Sequence, residues 1–210
     1  MTDHYGNRSE TLYFTGKPLR EDLLDKKGFS RVSPNIVVGD LVNSELDSSL
    51  EKLWNDVIDN WDYAHTIWPL EFPHCFTIDL GVTARLSRMK SWQRSAADCR
   101  WQHGAWRLFK VYGCNDISDP NVIDWTLIGN FISVKPSGLP IGEVSDEDIQ
   151  LLNDGEEFSF DRSAPAVRYI RIIVEGVHST MKLSCMSELT FWGQIETDES
   201  GEDVDSEVTE

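Results

Sequence analysis

The sequence has few positive charges: 19 Lys and Arg stand against 36 Asp and Glu, giving a formal net charge of −17 at pH 7. Eight of the acids, and no Lys or Arg, lie in residues 196–210; without these eight charges the rest of the chain carries −9. An acidic body repels a phosphate backbone, which argues against nucleic acid as a partner. Because the terminal stretch also has few apolar residues, we expect 196–210 to be a disordered acidic tail.

Cysteines are also few and far apart. Cys75, Cys99, Cys114 and Cys185 form no C-x-x-C pair, which argues against a zinc site. Four cysteines allow two disulfides or four buried thiols, and thiols are favoured because a domain of this size needs no cross-links. No apolar run has the length of a membrane span or the pattern of a signal peptide, so we expect any export signal to lie outside this sequence.

Signatures of catalysis are missing as well. The sequence has no G-x-S-x-G, no H-E-x-x-H and no phosphate-binding glycine loop. Acidic pairs such as Glu156 and Glu157 carry little information in so acidic a chain, and an isolated histidine such as His178 is more often structural than catalytic. We therefore predict that the protein is not an enzyme.

What is present is a series of short segments in which apolar and polar residues alternate, the pattern of half-buried strands. Strands are predicted at 75–80, 84–93, 107–114, 125–132, 157–161, 167–174 and 181–192, with Gly81 ending the first. Short helices are predicted at 48–54 and after Ser145, whose hydroxyl can cap a helix that ends at Gly155. Many short strands with few helices predict an all-β sandwich or jelly roll.

Three of these segments carry recognisable motifs. Residues 76–81 (FTIDLG), 167–172 (VRYIRI) and 187–193 (SELTFWG) resemble the F-x-I-D-L-G, R-Y-I-R and closing E-x-x-F-W-G strands of discoidin, or coagulation-factor type C, domains. That family has a galactose-binding-like jelly-roll β-sandwich fold. The Trp92-Gln93-Arg94 run and residues 134–140 are most similar to the C-terminal discoidin-like domain of unknown function in surface lipoproteins of gut-bacterial glycan-utilisation systems.

The resemblance implies a domain organisation. Residues 1–18 are expected to be the last strand of a preceding immunoglobulin-like domain, since Tyr5-Gly6-Asn7 is similar to the turn before that strand. Residues 19–28 are then a short helical or irregular connector, 29–195 the discoidin-like sandwich and 196–210 the tail. The implied location is the cell surface, on the outer membrane or in the periplasm, with a lipoprotein anchor outside this sequence.

Aromatic residues are concentrated in two predicted loops, 60–74 and 100–106. A sugar presents apolar C–H faces and many hydroxyls, so a sugar site combines flat rings with a few fixed polar groups. The candidate ligand-binding residues are Trp61, Tyr63, His65, Trp68, Arg100, Trp101, His103 and Trp106. The alternative is that these rings plug the end of the sandwich, since Trp is usually largely buried.

A structural Ca²⁺ is a second implication of the resemblance. Relatives hold this ion with a D-G-(N/D) loop after a short helix and with a Glu of the closing strand. Here residues 53–59 lack the glycine and have Asn55 in place of the first acid, which leaves Asp56, Asp59 and Glu188 as candidate ligands. The alternative is that these are solvated or capping carboxylates.

Two functional hypotheses follow. The first is a non-catalytic carbohydrate-binding module of a cell-surface glycan-utilisation lipoprotein, with glycan and other surface glycan-utilisation proteins as partners. The second is a protein-interaction or spacer domain of a surface complex with no sugar ligand. Exposure of Trp61, Trp101 and Trp106 discriminates between them, because rings that bind sugar must face water.

Overall fold

A computed structural model describes residues 21–32, 49–59, 61–66 and 68–196. In this part of the chain the strands are β1 (Asp22–Leu23), β2 (Ser30–Arg31), β3 (Ala64–His65), β4 (His74–Trp92), β5 (Trp106–Cys114), β6 (Thr126–Ile132), β7 (Glu156–Ser159), β8 (Val167–Val177), β9 (Cys185–Met186) and β10 (Glu188–Ile195). The helices are two 3₁₀ helices, Lys26–Gly28 and Leu50–Trp54, and the α-helix α1, Asp146–Asp154. The fold is mostly β, as the sequence predicts.

Strand β4 belongs to both layers of a sandwich. Its first part, 74–79, pairs antiparallel with β8, and its second part, 84–92, pairs antiparallel with β10. The register with β8 shifts between these parts, around Gly81 (φ 72°), where an added Cβ would lie 2.5 Å from the carbonyl oxygen of Gly28. Glycine is therefore required at this bend. The prediction that Gly81 ends a strand is wrong, because β4 bends at this glycine and continues to Trp92.

The remaining strands extend these two halves. Pairing runs β6-β5-β8-β4-β2 through the first half of β4, and β7-β4-β10-β1 through the second half. All of these pairs are antiparallel, and β3 pairs with β9 in a separate two-stranded ladder. The result is the jelly-roll β-sandwich that the sequence predicts, with β4 as the strand common to both layers.

The core lies between the two halves of the sheet. Phe76 and Ile78 of the first half of β4, Leu86 and Met89 of the second half, and Phe191 of β10 are all buried in one hydrophobic cluster. Aromatic rings contact one another within this cluster: Phe76 stacks on Trp106 at 5.5 Å, Trp106 meets Phe109 at 5.7 Å, and Phe109 meets Phe158 edge-on at 5.1 Å. Large buried rings supply most of the apolar surface that stabilises such a fold.

Helix α1 begins and ends as its sequence predicts. Ser145 and Asp148 form a reciprocal capping box, with the Ser145 hydroxyl accepting from the Asp148 N–H and the Asp148 carboxylate accepting from the Ser145 N–H. Gly155 caps the C-terminus with φ 79°, and an added Cβ there would lie 2.5 Å from the Trp92 ring. The helix predicted at 48–54 is observed as the 3₁₀ helix Leu50–Trp54.

The segment expected to be a connector is packed against the sandwich. Within 19–28, β1 pairs with the end of β10, and Leu24 is 1% exposed. The predicted strand of the preceding domain lies outside the described residues, as does the predicted tail beyond Glu196. The four cysteines are free thiols. None of the helices in the described ranges has both the length and the apolar character required to cross a membrane.

Candidate functional site

Several loops meet at one end of the sandwich. The segment before β4 is tied to the loop after β8 by the Leu70 N–H, which donates to the Lys182 carbonyl at 2.8 Å. The loop between β4 and β5 is tied to the same region by the His178 N–H, which donates to the Ala105 carbonyl at 2.9 Å. It is also tied to helix α1, because Trp101 Nε1 donates to the Asp148 carbonyl at 3.2 Å. Hydrogen bonds between the loops therefore hold this end of the molecule together.

An arginine and two aromatic rings form a surface cluster at this end. The guanidinium carbon of Arg94 lies 4.2 Å from the centre of the Tyr63 ring and 5.3 Å from the centre of the Trp61 ring. Trp61 is 77% exposed and Tyr63 is half-buried. Contacts of this kind between a planar cation and aromatic faces are attractive and orient the cation. We call Trp61, Tyr63 and Arg94 the platform.

Polar contacts hold the loop that carries the platform. Asp62 forms an ion pair with Lys52 at 3.2 Å and accepts a hydrogen bond from the Asn55 side chain. Asp59 Oδ1 accepts from the Trp61 N–H at 2.9 Å, closing a turn just before the exposed ring. Because Lys52 lies within the buried 3₁₀ helix Leu50–Trp54 and Asn55 caps it, the loop is anchored to the core although the Trp61 ring faces water.

His65 lies beside the platform. It is the second residue of strand β3, which begins just after Tyr63 and pairs with β9 so that His65 is opposite Cys185. The His65 ring centre is 5.6 Å from that of Tyr63, and its Nδ1 lies 2.8 Å from the Thr66 carbonyl oxygen. If Nδ1 carries the proton that this contact requires, Nε2 is left as a hydrogen-bond acceptor.

Two of the candidate rings are buried. Trp101 is 2% exposed and meets His178 edge-on at 4.9 Å, and Trp106 is 1% exposed and stacked on Phe76. The expectation that they bind a ligand is therefore wrong. Trp106 is an inward residue of β5, and Trp101 fills the space under its own loop, which is the plugging role that was the alternative for these rings.

The other candidates are dispersed around the platform. Trp68 is 63% exposed on the segment before β4, but in the described ranges no hydrogen bond or ring contact connects it to the platform. Arg100 is half-buried, and its Nε donates to the Ser95 carbonyl at 3.1 Å, so it braces its own loop. His103 is half-buried, with a φ of 52°.

His103 belongs to a compact group of potential metal ligands. The side-chain donor atoms of Asp98, Cys99 and His103 all lie within 4.8 Å of one another, and the Cys99 thiol donates to Asp98 Oδ1 at 3.5 Å. Burial raises the pKa of the Cys99 thiol, and the nearby Arg94 guanidinium opposes that rise. Arg94 thus connects this group to the platform.

A separate cleft of about 450 Å³ on the same end is lined partly by Trp101, Ser133 and His178. The Ser133 hydroxyl donates to Glu156 Oε2 at 2.6 Å and lies 3.1 Å from His178 Nε2. Burial raises the pKa of Glu156. Burial, with the charges of Arg107 and Lys135, lowers the pKa of His178 to about 4, so the imidazole is neutral at pH 7. These polar groups satisfy one another, which agrees with a structural role for His178.

The residues expected to hold Ca²⁺ do not fit that ion. Lys26 Nζ lies 2.6 Å from Asp56 Oδ1 and 2.9 Å from Glu188 Oε1, while Glu188 Oε2 accepts from the Asp56 N–H at 2.9 Å. An ammonium group therefore already lies where the two carboxylates meet, and Asp59 is used by the Trp61 turn. Burial raises the pKa of Glu188 to about 7 in spite of Lys26, which lowers it.

Sequence reasoning missed Arg94, Asp98 and Cys99 as site residues. Arg94 was visible in the Trp92-Gln93-Arg94 run but was not assigned a role, because nothing in the spacing shows that the end of β4 approaches the loop before β3. Asp98 and Cys99 form no spaced pair of ligands, and only the winding of their loop brings His103 back to them. Their proximity is a property of the tertiary fold.

The chain is similar to one family of domains and to several solved structures. Residues 54–193 match the model of the family DUF5000, a domain of unknown function. The solved structure of "SusE-like protein BT2857" is 38% identical with a TM-score of 0.78, covering 92% of this chain and 74% of that one. No protein with curated function matches the chain.

Other solved structures share the fold at low identity. The family 32 carbohydrate-binding module of NanJ from C. perfringens, in complex with galactose, is 14% identical with a TM-score of 0.56, covering 82% of this chain and 99% of that one. A putative chitobiase fragment from Bacteroides thetaiotaomicron is 18% identical with a TM-score of 0.59, covering 89% and 99%. These similarities confirm the discoidin-like sandwich.

Proposed function

The chain belongs to the DUF5000 family, and from this premise we propose that it is a non-catalytic glycan-binding module whose ligand binds on the platform of Trp61, Tyr63 and Arg94. The observation that carries the proposal is the 77% exposed Trp61 ring held beside a guanidinium that also stacks on Tyr63. The similarity to a SusE-like protein supports a place in a surface glycan-utilisation lipoprotein.

The chemistry of the platform suits a sugar. The Trp61 face offers apolar surface to the C–H groups of a pyranose ring, and the guanidinium of Arg94 is a group whose N–H donors have fixed directions, which suits hydroxyl groups. His65 adds a further polar group next to Tyr63. The ligand class to test first is galactose-containing oligosaccharides, because a module with the same fold is solved in complex with galactose. Since its sequence identity to this chain is low, these oligosaccharides should be part of a wider panel.

The platform offers binding groups without a catalytic constellation. Among the described residues around it, the carboxylates Asp59 and Asp62 are occupied by the Trp61 N–H and by Lys52 and Asn55. A glycosidase needs two carboxylates placed on either side of the scissile bond, one of them kept protonated. The neighbours in the family 32 group are binding modules, which agrees with a binding role.

The experiment is a calorimetric titration of the protein with a glycan panel, comparing Arg94→Gln with Arg88→Gln. Arg88 is the matched control, since its guanidinium stacks 3.8 Å from the Trp192 ring on the outer face of the second layer, away from the platform. We expect the wild type and R88Q to bind equally and R94Q to bind about 10-fold or more weakly, as the loss of a charge-assisted hydrogen bond implies. If R94Q binds glycan as tightly as the wild type does, the platform is excluded as the glycan-binding site.

A second candidate function is favoured by one feature of the surface. Ile132, Val134 and Ile141 are 60%, 63% and 55% exposed at the rim of the His178 cleft. Clustered exposed aliphatic side chains are typical of a protein contact. If the folded protein binds no glycan, association with other surface glycan-utilisation proteins should be measured for the wild type and Ile141→Ser; equal association of both would exclude this cluster.

A further inference from the structure

We propose that Asp98, Cys99 and His103 form a binding site for a zinc ion. A carboxylate, a thiol and an imidazole have their donor atoms within 4.8 Å of one another. In the described part of the chain this is the one group of three or more such side chains that converges so closely. The absence of a C-x-x-C pair, from which the sequence argues against zinc, does not apply to a site built on D-C-x₃-H.

The loop is wound so that the three donors converge. The Cys99 N–H donates to the Ala96 carbonyl at 2.7 Å, and the Gln102 N–H donates to the Cys99 carbonyl at 3.1 Å, which makes two successive turns. Trp101 and His103 then take left-handed φ values of 55° and 52°. This conformation is unfavourable for residues with a Cβ, and here it turns His103 back toward Cys99.

The loop is also fixed to the rest of the molecule. The Trp101 ring is buried and donates to the Asp148 carbonyl, and the Ala105 N–H donates to the Gln102 carbonyl at 3.1 Å just before β5 begins. Cys99 itself is 1% exposed, whereas Asp98 is exposed and His103 half-buried. A fixed loop with a buried soft donor and two accessible ones needs little rearrangement to bind an ion.

The donor types select the metal class. Thiolate and imidazole are preferred by Zn²⁺, whereas Ca²⁺ and Mg²⁺ prefer an all-oxygen shell. Three protein ligands leave a fourth tetrahedral position open to water. The zinc site thus differs from the Ca²⁺ site expected at Asp56 and Glu188 in its position and in its donor atoms.

The charges that face the site affect its affinity. Arg94, from the segment after β4, lies near the Cys99 thiol, and its positive charge repels a second cation. Cys185 of β9 is buried, and His65 lies opposite it on β3. Binding of the ion by Cys99 converts the thiol to a thiolate and releases one proton to solvent.

The test is titration of metal-free protein with Co²⁺ and Zn²⁺ in the absence of glycan, so that its outcome does not depend on the glycan proposal. We expect one equivalent of Co²⁺ to produce a thiolate-to-cobalt charge-transfer band that Zn²⁺ abolishes. Cys99→Ser should remove the band, and His103→Gln should weaken Zn²⁺ binding at least about 10- to 100-fold. Cys114→Ser, a buried thiol on β5 outside the cluster, is the matched control and should bind as the wild type does.

Two results would overturn the proposal: a folded wild type with no saturable Co²⁺ or Zn²⁺ binding, or unchanged Zn²⁺ affinity in both C99S and H103Q. Circular dichroism of each variant checks folding. Because Cys99 is buried and its replacement could disturb the loop, H103Q and Asp98→Asn provide readings at the more accessible donors.

Discussion

At the scale of single residues, exposure separates side chains that the sequence presents as equals. Trp61 and Trp101 both lie in loops that follow a helix or strand, and both are flanked by histidines and acids. One is 77% exposed and the other 2% exposed. The concentration of aromatic residues in two loops could therefore predict an aromatic end of the sandwich. It could not show which of these rings are buried and which are exposed, because burial depends on which loops pack against each other.

This division predicts opposite phenotypes for the two tryptophans. Trp101→Ala removes a buried ring and its hydrogen bond to the Asp148 carbonyl, so the free energy of unfolding should fall by about 3–5 kcal/mol. Trp61→Ala should change it by less than about 0.5 kcal/mol, because the ring faces water. Urea denaturation of both variants measures this difference; a Trp61→Ala loss as large as that of Trp101→Ala would contradict the exposure assigned to the platform.

His178 predicts a pH dependence of stability. Its pKa is about 4 in the folded protein against 6.5 when unfolded, so between these values the unfolded chain binds more protons. The stability contributed by the neutral imidazole is complete above pH 6.5 and is lost as the pH falls toward 4. On lowering the pH from 7.5 to 5, the wild type should lose about 2 kcal/mol more unfolding free energy than His178→Gln.

The measurement is urea denaturation of both proteins at the two pH values. Glu188, whose folded pKa is raised to about 7, contributes the opposite slope, since the folded state then binds more protons than the unfolded state above pH 4.5. Both proteins contain Glu188, so its contribution cancels in the comparison. Equal loss in the wild type and His178→Gln would show that His178 titrates normally.

At the scale of elements, the short 3₁₀ helix Lys26–Gly28 connects the segment after β1 to β10 through an ion pair of Lys26 with Glu188. Lys26 donates to Asp56 and to Glu188, whose side chain is 2% exposed. Removing one partner of a buried pair leaves the other charge uncompensated. This tie was not predictable, because the resemblance implies a metal at these carboxylates and nothing in the spacing places Lys26 between them.

We expect Lys26→Met to lower the free energy of unfolding by about 3 kcal/mol. Lys27→Met, at the exposed neighbour, should change it by less than about 0.5 kcal/mol. We also expect excess Ca²⁺ not to shift the melting temperature of the wild type, because an ion that does not bind the folded state cannot stabilise it. Thermal melts of the three proteins measure both effects; a rise of the wild-type melting temperature with Ca²⁺ would contradict the role of Lys26.

Strand β4 shows how far element prediction could reach. Alternation correctly predicted strands at 75–80 and 84–93, with Ile78 and Leu86 facing inward. The pattern could not show that the two are one strand, since a glycine between two alternating segments is equally compatible with a turn and with a bend inside one strand. Helix α1 was predicted at both ends because its signals, Ser145, Asp148 and Gly155, act locally.

At the scale of the whole molecule, the fold followed from strand periodicity and from three motifs, which all lie in central strands of the sandwich. The site was predictable only as a region. Its central residue, Arg94, comes from the segment after β4 and meets Trp61 and Tyr63 from a different loop. Contacts between residues that are about thirty positions apart depend on the packing of loops, which no local pattern encodes.

The most direct test of the account is localisation of a bound glycan by two-dimensional NMR, following the side-chain N–H signals of the eight tryptophans and of the arginines during titration with a glycan that binds. The account predicts that the Trp61 indole and Arg94 Nε signals shift with saturable dependence on glycan concentration. The Trp92 and Trp192 signals, which come from the outer face of the second layer, should stay in place. Shifts confined to Trp92 and Trp192, or to the residues around the His178 cleft, with Trp61 and Arg94 unchanged, would contradict it.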